Sequence, residues 1–168
     1  MKRLKTVLRG IESLSSDRLG LPYVLLDGDT FYTVDVLGTY RALVPGVDVS
    51  NPTHASGGGV VVFDDDRPNE SLYSYVRVEH HSDNITQIKE KSKEGMSALA
   101  CSGCYCFHHT KTLLVEIQSA LESYRQNMNA SGNQLELYTS SITANVLENG
   151  YSRARARESS KRQLRVER

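Results

Sequence analysis

Tyr23-Val24-Leu25-Leu26-Asp27-Gly28-Asp29 is the stretch on which the fold turns. Four apolar residues without polar alternation read as a strand covered on both faces, the habit of a mostly parallel sheet flanked by helices. The strand stops abruptly at two acids around a glycine. Ligands of open α/β sheets bind beyond the carboxyl ends of the strands. Two carboxylates on a turn there can hold a divalent cation through oxygen, and the glycine lets a phosphate approach the backbone. An Asx turn that merely closes the strand competes with this reading. The position at the strand's carboxyl end favours a site.

Upstream, Leu4, Val7, Leu8, Ile11 and Leu14 recur at helical spacing, with Lys2, Lys5, Arg9 and Glu12 mostly on the other side, so an amphipathic helix precedes the strand. Downstream, Thr30 or Thr33 can cap a helix that uses Val36, Leu37, Tyr40 and Leu43 and ends at Pro45-Gly46. Residues 45–59 read as a loop into a second buried strand at Val60–Phe63, and Val24 and Val61 are expected on neighbouring central strands. Alternation at Leu72–Val78, a turn at His80–Asn84 and a partner strand at Ile85–Lys91 make an antiparallel hairpin. Gly103–Phe107 is a further strand. A helix from about Thr110 carries the stripe Leu113, Leu114, Ile117, Ala120, Leu121 and Tyr124, and Ile142–Leu147 begins another.

The chain has 20 basic and 20 acidic residues, which disfavours a chain-wide nucleic-acid footprint. The balance is uneven: residues 151–168 hold seven Lys/Arg against two Glu, so this basic tail carries +5 and residues 1–150 carry −5. Low in apolar residues, the tail reads as a ragged helix or a disordered segment. The domain is therefore expected at 1–150 with a tail at 151–168. The longest apolar runs fall far short of the roughly 20 residues of a spanning helix, so no membrane association is expected. Met1-Lys2-Arg3 leads into no signal-peptide apolar region, and with three cysteines crowded into 101–106 a reducing, cytoplasmic location fits.

Several pieces, in order, resemble the sugar-phosphate nucleotidyltransferase family. Leu25-Leu26-Asp27-Gly28-Asp29-Thr30-Phe31-Tyr32 is similar to its core strand and metal-binding acid. Tyr73-Ser74-Tyr75-Val76 resembles its Tyr-Gly strand, Ile85–Lys91 with Glu90-Lys91 its Glu-Lys-Pro segment, and Ser102-Gly103-Cys104-Tyr105-Cys106-Phe107 its Thr-Gly-aromatic strand. Leu135-Glu136-Leu137-Tyr138-Thr139-Ser140 looks like its Glu-(apolar)-Thr-Asp segment, and Val146–Gly150 like the helix that follows. The resemblance implies a three-layer Rossmann-like α/β fold with a mixed, mostly parallel sheet and an inserted hairpin. It implies attack of a sugar phosphate oxygen on the α-phosphorus of a nucleotide, with pyrophosphate leaving. On that reading Asp29 and Lys91 are catalytic. Asp29 holds Mg²⁺ with Asp27 as accessory ligand, Lys91 pairs with the sugar phosphate, and Glu90 accepts hydrogen bonds from sugar hydroxyls, with Ser74 and Gly103 beside it in the substrate site.

Two departures qualify the family pattern. Its G-x-G-T/S-R phosphate loop is not found, since Met1 enters at the helix before the Asp29 strand, so the chain reads as truncated at its N-terminus. Ser140 or Ser141 stands where a second metal carboxylate is expected, and a hydroxyl cannot supply that charge. The isolated chain is therefore expected to be inactive. The reading from a different class is a non-catalytic α/β interaction or regulatory module that uses its basic tail on an acidic partner.

Other signals read as structural. Cys101, Cys104, Cys106, His108 and His109 are soft ligands, but strand spacing opposes tetrahedral zinc and favours buried small side chains. His80-His81 reads as a solvated turn, Gly57-Gly58-Gly59 as a flexible strand entry without the Lys-Ser/Thr of a phosphate loop, and Asp64-Asp65-Asp66 as a solvated hairpin end.

Overall fold

Leu4 and Ile11, two helical turns apart, are 1% and 0% exposed, which fixes the inward face of α1 (Lys2–Glu12) as its spacing predicts. The computed structural model describes residues 2–28, 32, 35, 38, 58–67, 70–81, 84–131, 138–148 and 155–158. After α1 and a short 3-10 turn at Ser16–Arg18 come β1 (Tyr23–Leu26), β2 (Gly58–Asp64), β3 (Ser74–Val78), β4 (Ile85–Glu90) and β5 (Leu99–Phe107). Then follow α2 (Thr110–Ser131), α3 (Thr139–Glu148) and β6 (Arg155–Glu158). Val36, Leu37, Tyr40 and Leu43 of the expected helix lie outside the described residues, as do residues 45–57 of the expected loop at 45–59; Gly58 and Gly59, expected there as a flexible entry, are instead buried at the start of β2.

The strands form one six-stranded sheet in the order β4-β3-β5-β2-β6, with β1 on β5. Its pairings are antiparallel except β2 with β6. This corrects the expectation of a mostly parallel sheet. An uninterrupted apolar run says nothing of the direction of a strand's neighbours, and it overstated the cover as well: β1 is only half-buried, with Leu26 46% exposed. Val24 and Val61 are not on adjacent strands either: β1 and β2 flank β5, with Val24 opposite Cys106 and Val61 opposite Cys104. The hairpin is present, and β3 and β4 form one edge of the sheet. The tail also differs from expectation, since Arg155–Glu158 pairs in parallel with Gly59–Val62. Val60, Val61 and Val62 present a long buried strand whose backbone groups need partners on both sides, and four residues of β6 supply one of them.

Helices α1, α2 and α3 pack on one face, over Val60, Val62, Val76, Ile88, Tyr105 and Phe107. α1 lies against α2, and α3 lies against α2 and β4. The first amides of α2 are satisfied by an upstream loop: Thr110 N–H donates to Leu21 O and Lys111 N–H to Leu19 O, both at 2.9 Å. On the opposite face Val61, Cys104 and Cys106 make a small cluster with Val24 and Tyr32. The three cysteines are free and buried, the structural role expected of them. His108, 2% exposed, has neither ring nitrogen hydrogen-bonded, and burial lowers its pKa below the ordinary value.

Candidate functional site

β5 is divided along one of its edges, and the division makes the site. β2 runs along the other edge for the whole strand, from Gly58 opposite Phe107 to Asp64 opposite Leu99. The remaining edge is shared: β1 takes Cys104–Phe107, and β3 takes Ala100 through Tyr75. Between them lie Ser102 and Gly103, where the register against β2 jumps from Val61↔Cys104 to Val62↔Cys101. This is a bulge, a device that re-aims side chains and ends pairing. Gly103 adopts φ +83°, which other residues rarely take. Ser102 Oγ donates to Val61 O at 2.8 Å, and Tyr32 O–H donates to Ser102 O at 2.9 Å.

At this break the carboxyl end of β1 meets the start of β3. Asp27 N–H donates to Gly103 O at 3.0 Å, and the Asp27 side chain lies over the Gly103 Cα, where a Cβ would come within 2.6 Å of Oδ2. Ser74 begins β3, and in the hairpin register it faces Glu90, the last residue of β4. Ser74 Oγ donates to Glu90 Oε2, and Ser140 Oγ, on the first turn of α3, donates to the same oxygen at 2.8 Å. The next residue, Lys91, has φ +47°, with its amide bonded to Tyr73 O at 2.9 Å. That turn sets its ammonium 3.2 Å from the Tyr138 hydroxyl and 5.3 Å from the centre of the Tyr138 ring.

Ser74, Glu90, Lys91, Gly103 and Asp27 thus come together from four strands and their ends, joined by Ser140 and Tyr138. Asp29 lies outside the described residues. No group of three His, Cys, Asp or Glu that could hold a metal occurs among the described residues. Asp27 alone is a thin donor set for Mg²⁺, which requires about six oxygens.

Two residues beneath the site were read from the sequence as strand residues and not as part of it. The Tyr105 hydroxyl has Ser74 and Cys101 within hydrogen-bonding reach, and burial, helped by the charges of Asp27 and Glu90, pushes its pKa well up. Burial, with the Glu90 charge nearby, pushes the Cys101 thiol up as well, so it stays protonated and inert. Tyr138 was passed over because an aromatic before a helix carries no signal of its own. It lies inside Leu135–Ser140, a segment already singled out, but with no role of its own.

Asp65 requires a correction: it is buried, not part of a solvated end. Its carboxylate takes Arg67 Nε at 2.7 Å, Lys93 Nζ at 3.0 Å and the Tyr75 hydroxyl at 2.6 Å. Burial pushes that carboxyl up, but hydrogen bonds from Arg67, Tyr75 and Lys93 outweigh it and hold the pKa well below the usual carboxylate range. Burial and the bond to Asp65 push Tyr75 up to about 12. The run Asp64-Asp65-Asp66 gave no hint of this, because the cations come from residues 67 and 93.

The chain has the fold of solved sugar-nucleotide enzymes. It superposes on the nucleoside-diphosphate-sugar pyrophosphorylase from Vibrio cholerae RC9 with a TM-score of 0.66 at 20% identity, over 96% of this chain and 58% of that one. It superposes on a protein described as a glucose-1-phosphate thymidylyltransferase from Bacillus anthracis, solved with sucrose, with a TM-score of 0.62 at 17% identity. That match covers 94% of this chain and 52% of the other. At such identities the likeness is one of fold, and the chain spans a little over half the length of either protein. No family model matches the sequence, and no curated protein does. No helix among the described residues is long and apolar enough to cross a membrane.

Proposed function

We propose that this chain carries the sugar-phosphate half of a nucleotidyltransferase-type site. The observation that carries the reading is the meeting of an oriented carboxylate, Glu90, with an ammonium, Lys91, beside a strand break floored by Gly103. A carboxylate accepts hydrogen bonds from ring hydroxyls, and an ammonium pairs with phosphate. Two such groups on consecutive residues fix both ends of a hexose 1-phosphate and hold its phosphate oxygen in one place, which is what attack on a nucleotide's α-phosphorus needs. Gly103, lacking a side chain, lets the Asp27 side chain lie over the backbone at this break. Magnesium enters this proposal through Asp29 with Asp27, and when bound it would supply charge neutralisation. With Ser140 or Ser141 where the resemblance leads one to expect an acid, we expect binding without appreciable pyrophosphate release.

Calorimetric titration with glucose 1-phosphate tests the reading. Wild type should bind it more tightly than it binds glucose or inorganic phosphate. Lys91→Ala should weaken glucose 1-phosphate and phosphate alike by roughly tenfold, and Glu90→Gln should weaken glucose 1-phosphate while sparing phosphate. A wild-type chain that binds glucose 1-phosphate no better than about 10 mM would remove the proposal.

A further inference from the structure

The Glu90 carboxylate is gripped from two separate elements. Ser74 on β3 and Ser140 on α3 both donate to Oε2, and neither of these bonds falls on Oε1. Both serines are buried, at 7% and 2% exposure. A hydroxyl has one hydrogen to give, so each is committed to Glu90. Rotation of the carboxylate would break both bonds at once, which leaves Oε1 as an acceptor held in a set direction. An acid at position 140 would stand where Ser140 Oγ is now, within hydrogen-bonding distance of Glu90, and set two like charges against each other. The serine removes that repulsion and turns a charge into a donor.

Resting on the sugar-phosphate reading above, we propose that Ser74 and Ser140 are positioning residues. They lock Glu90 as a one-way acceptor, so that the site selects a sugar ring offering free hydroxyls, and the phosphate end is left to Lys91. The clamp also couples α3 to the β3–β4 hairpin through the ligand-facing acid itself.

The test uses the full 168-residue chain and two probes, glucose 1-phosphate and inorganic phosphate, titrated separately by calorimetry. Ser140→Ala and Ser74→Ala should each lower the ratio of the two affinities by roughly tenfold, with inorganic phosphate binding changed by less than about twofold. Ser140→Asp should lower the ratio at least as far, because it adds repulsion to the lost donor. A purely structural role for the serines would weaken both probes in proportion, and that result overturns the clamp. So does an unchanged ratio in both alanine variants; in either case wild-type preference for glucose 1-phosphate leaves the sugar-phosphate reading standing. A wild type with no preference between the probes overturns both. Should Ser140→Ala fail to fold, Ser74→Ala decides alone, since the clamp requires the same change from the other element.

Discussion

Gly103 shows how a single residue sets the site. Its φ of +83° costs other residues about 1–2 kcal/mol, and an added Cβ would also meet the Asp27 Cβ at 2.8 Å. The Asp27 carboxylate could swing aside, but its Cβ moves only with the end of β1. Gly103→Ala should therefore cost about 2–3 kcal/mol in urea unfolding, and it should weaken glucose 1-phosphate as well, because β1 and β3 would part at the break. A stability equal to wild type would show that the turn tolerates a side chain. At this scale the sequence was legible where short motifs stood out: Glu90-Lys91 and Ser102-Gly103 were singled out, and the fold brings them into one cluster. It was illegible where the partner is distant. Tyr105 and Cys101 look like core strand residues, and only the fold brings Ser74 and Glu90 to them.

Among the elements, the connections matter as much as the strands. Asp65 follows β2, and its partners Arg67 and Lys93 belong to the segments before β3 and after β4, so one carboxylate ties the two connections on either side of the hairpin. Lys93 lies two residues from Lys91, which places this clasp next to the turn that ends β4. The Asp65 side chain is 2% exposed, whereas those of Arg67 and Lys93 are 38% and 21% exposed and can regain water. Asp65→Asn should then cost about 2 kcal/mol, less than the loss of a fully buried pair. The pH dependence follows from the lowered carboxyl pKa. The folded state holds this proton less tightly than the unfolded chain, so the stabilisation is complete above the ordinary 3.8 and is lost as pH falls below it through the lower folded value. Tyr75, raised to about 12, works oppositely: its share is complete below the ordinary 10.0 and is lost as pH rises through 12. Urea midpoints between pH 5 and 2 should fall less steeply in Asp65→Asn than in wild type, and parallel slopes would separate Asp65 from acid sensitivity. Strand existence was legible from apolar runs and alternation, but direction was not, because the same run Tyr23–Leu26 suits any strand that is covered on both faces.

For the whole molecule, the decisive departure from the sequence reading is where the sheet stops. Residues 151–168 are rich in Arg and poor in apolar residues, and by composition alone they belong to solvent. Arg155–Glu158 nevertheless pairs with Gly59–Val62, because backbone hydrogen bonding is blind to side-chain type and β2 needs a second neighbour. With β6 in place, β2 is an interior strand. Without it, Val60–Val62 would become a flat apolar edge open to other chains. A chain ending at residue 150 should therefore melt at lower urea, by about 2 kcal/mol once the ordering entropy of the strand is set against its hydrogen bonds and the cover it gives, and it should form oligomers as concentration rises. Hydrogen exchange localises the effect. The amides of Gly59–Val62 that face β6 should exchange faster in the shortened chain, while those of Ser74–Val78, on the far side of β5, should keep their protection relative to global unfolding. If exchange across β2 is the same in both chains, Arg155–Glu158 is no part of the sheet in solution, and the folded unit ends where the composition suggested.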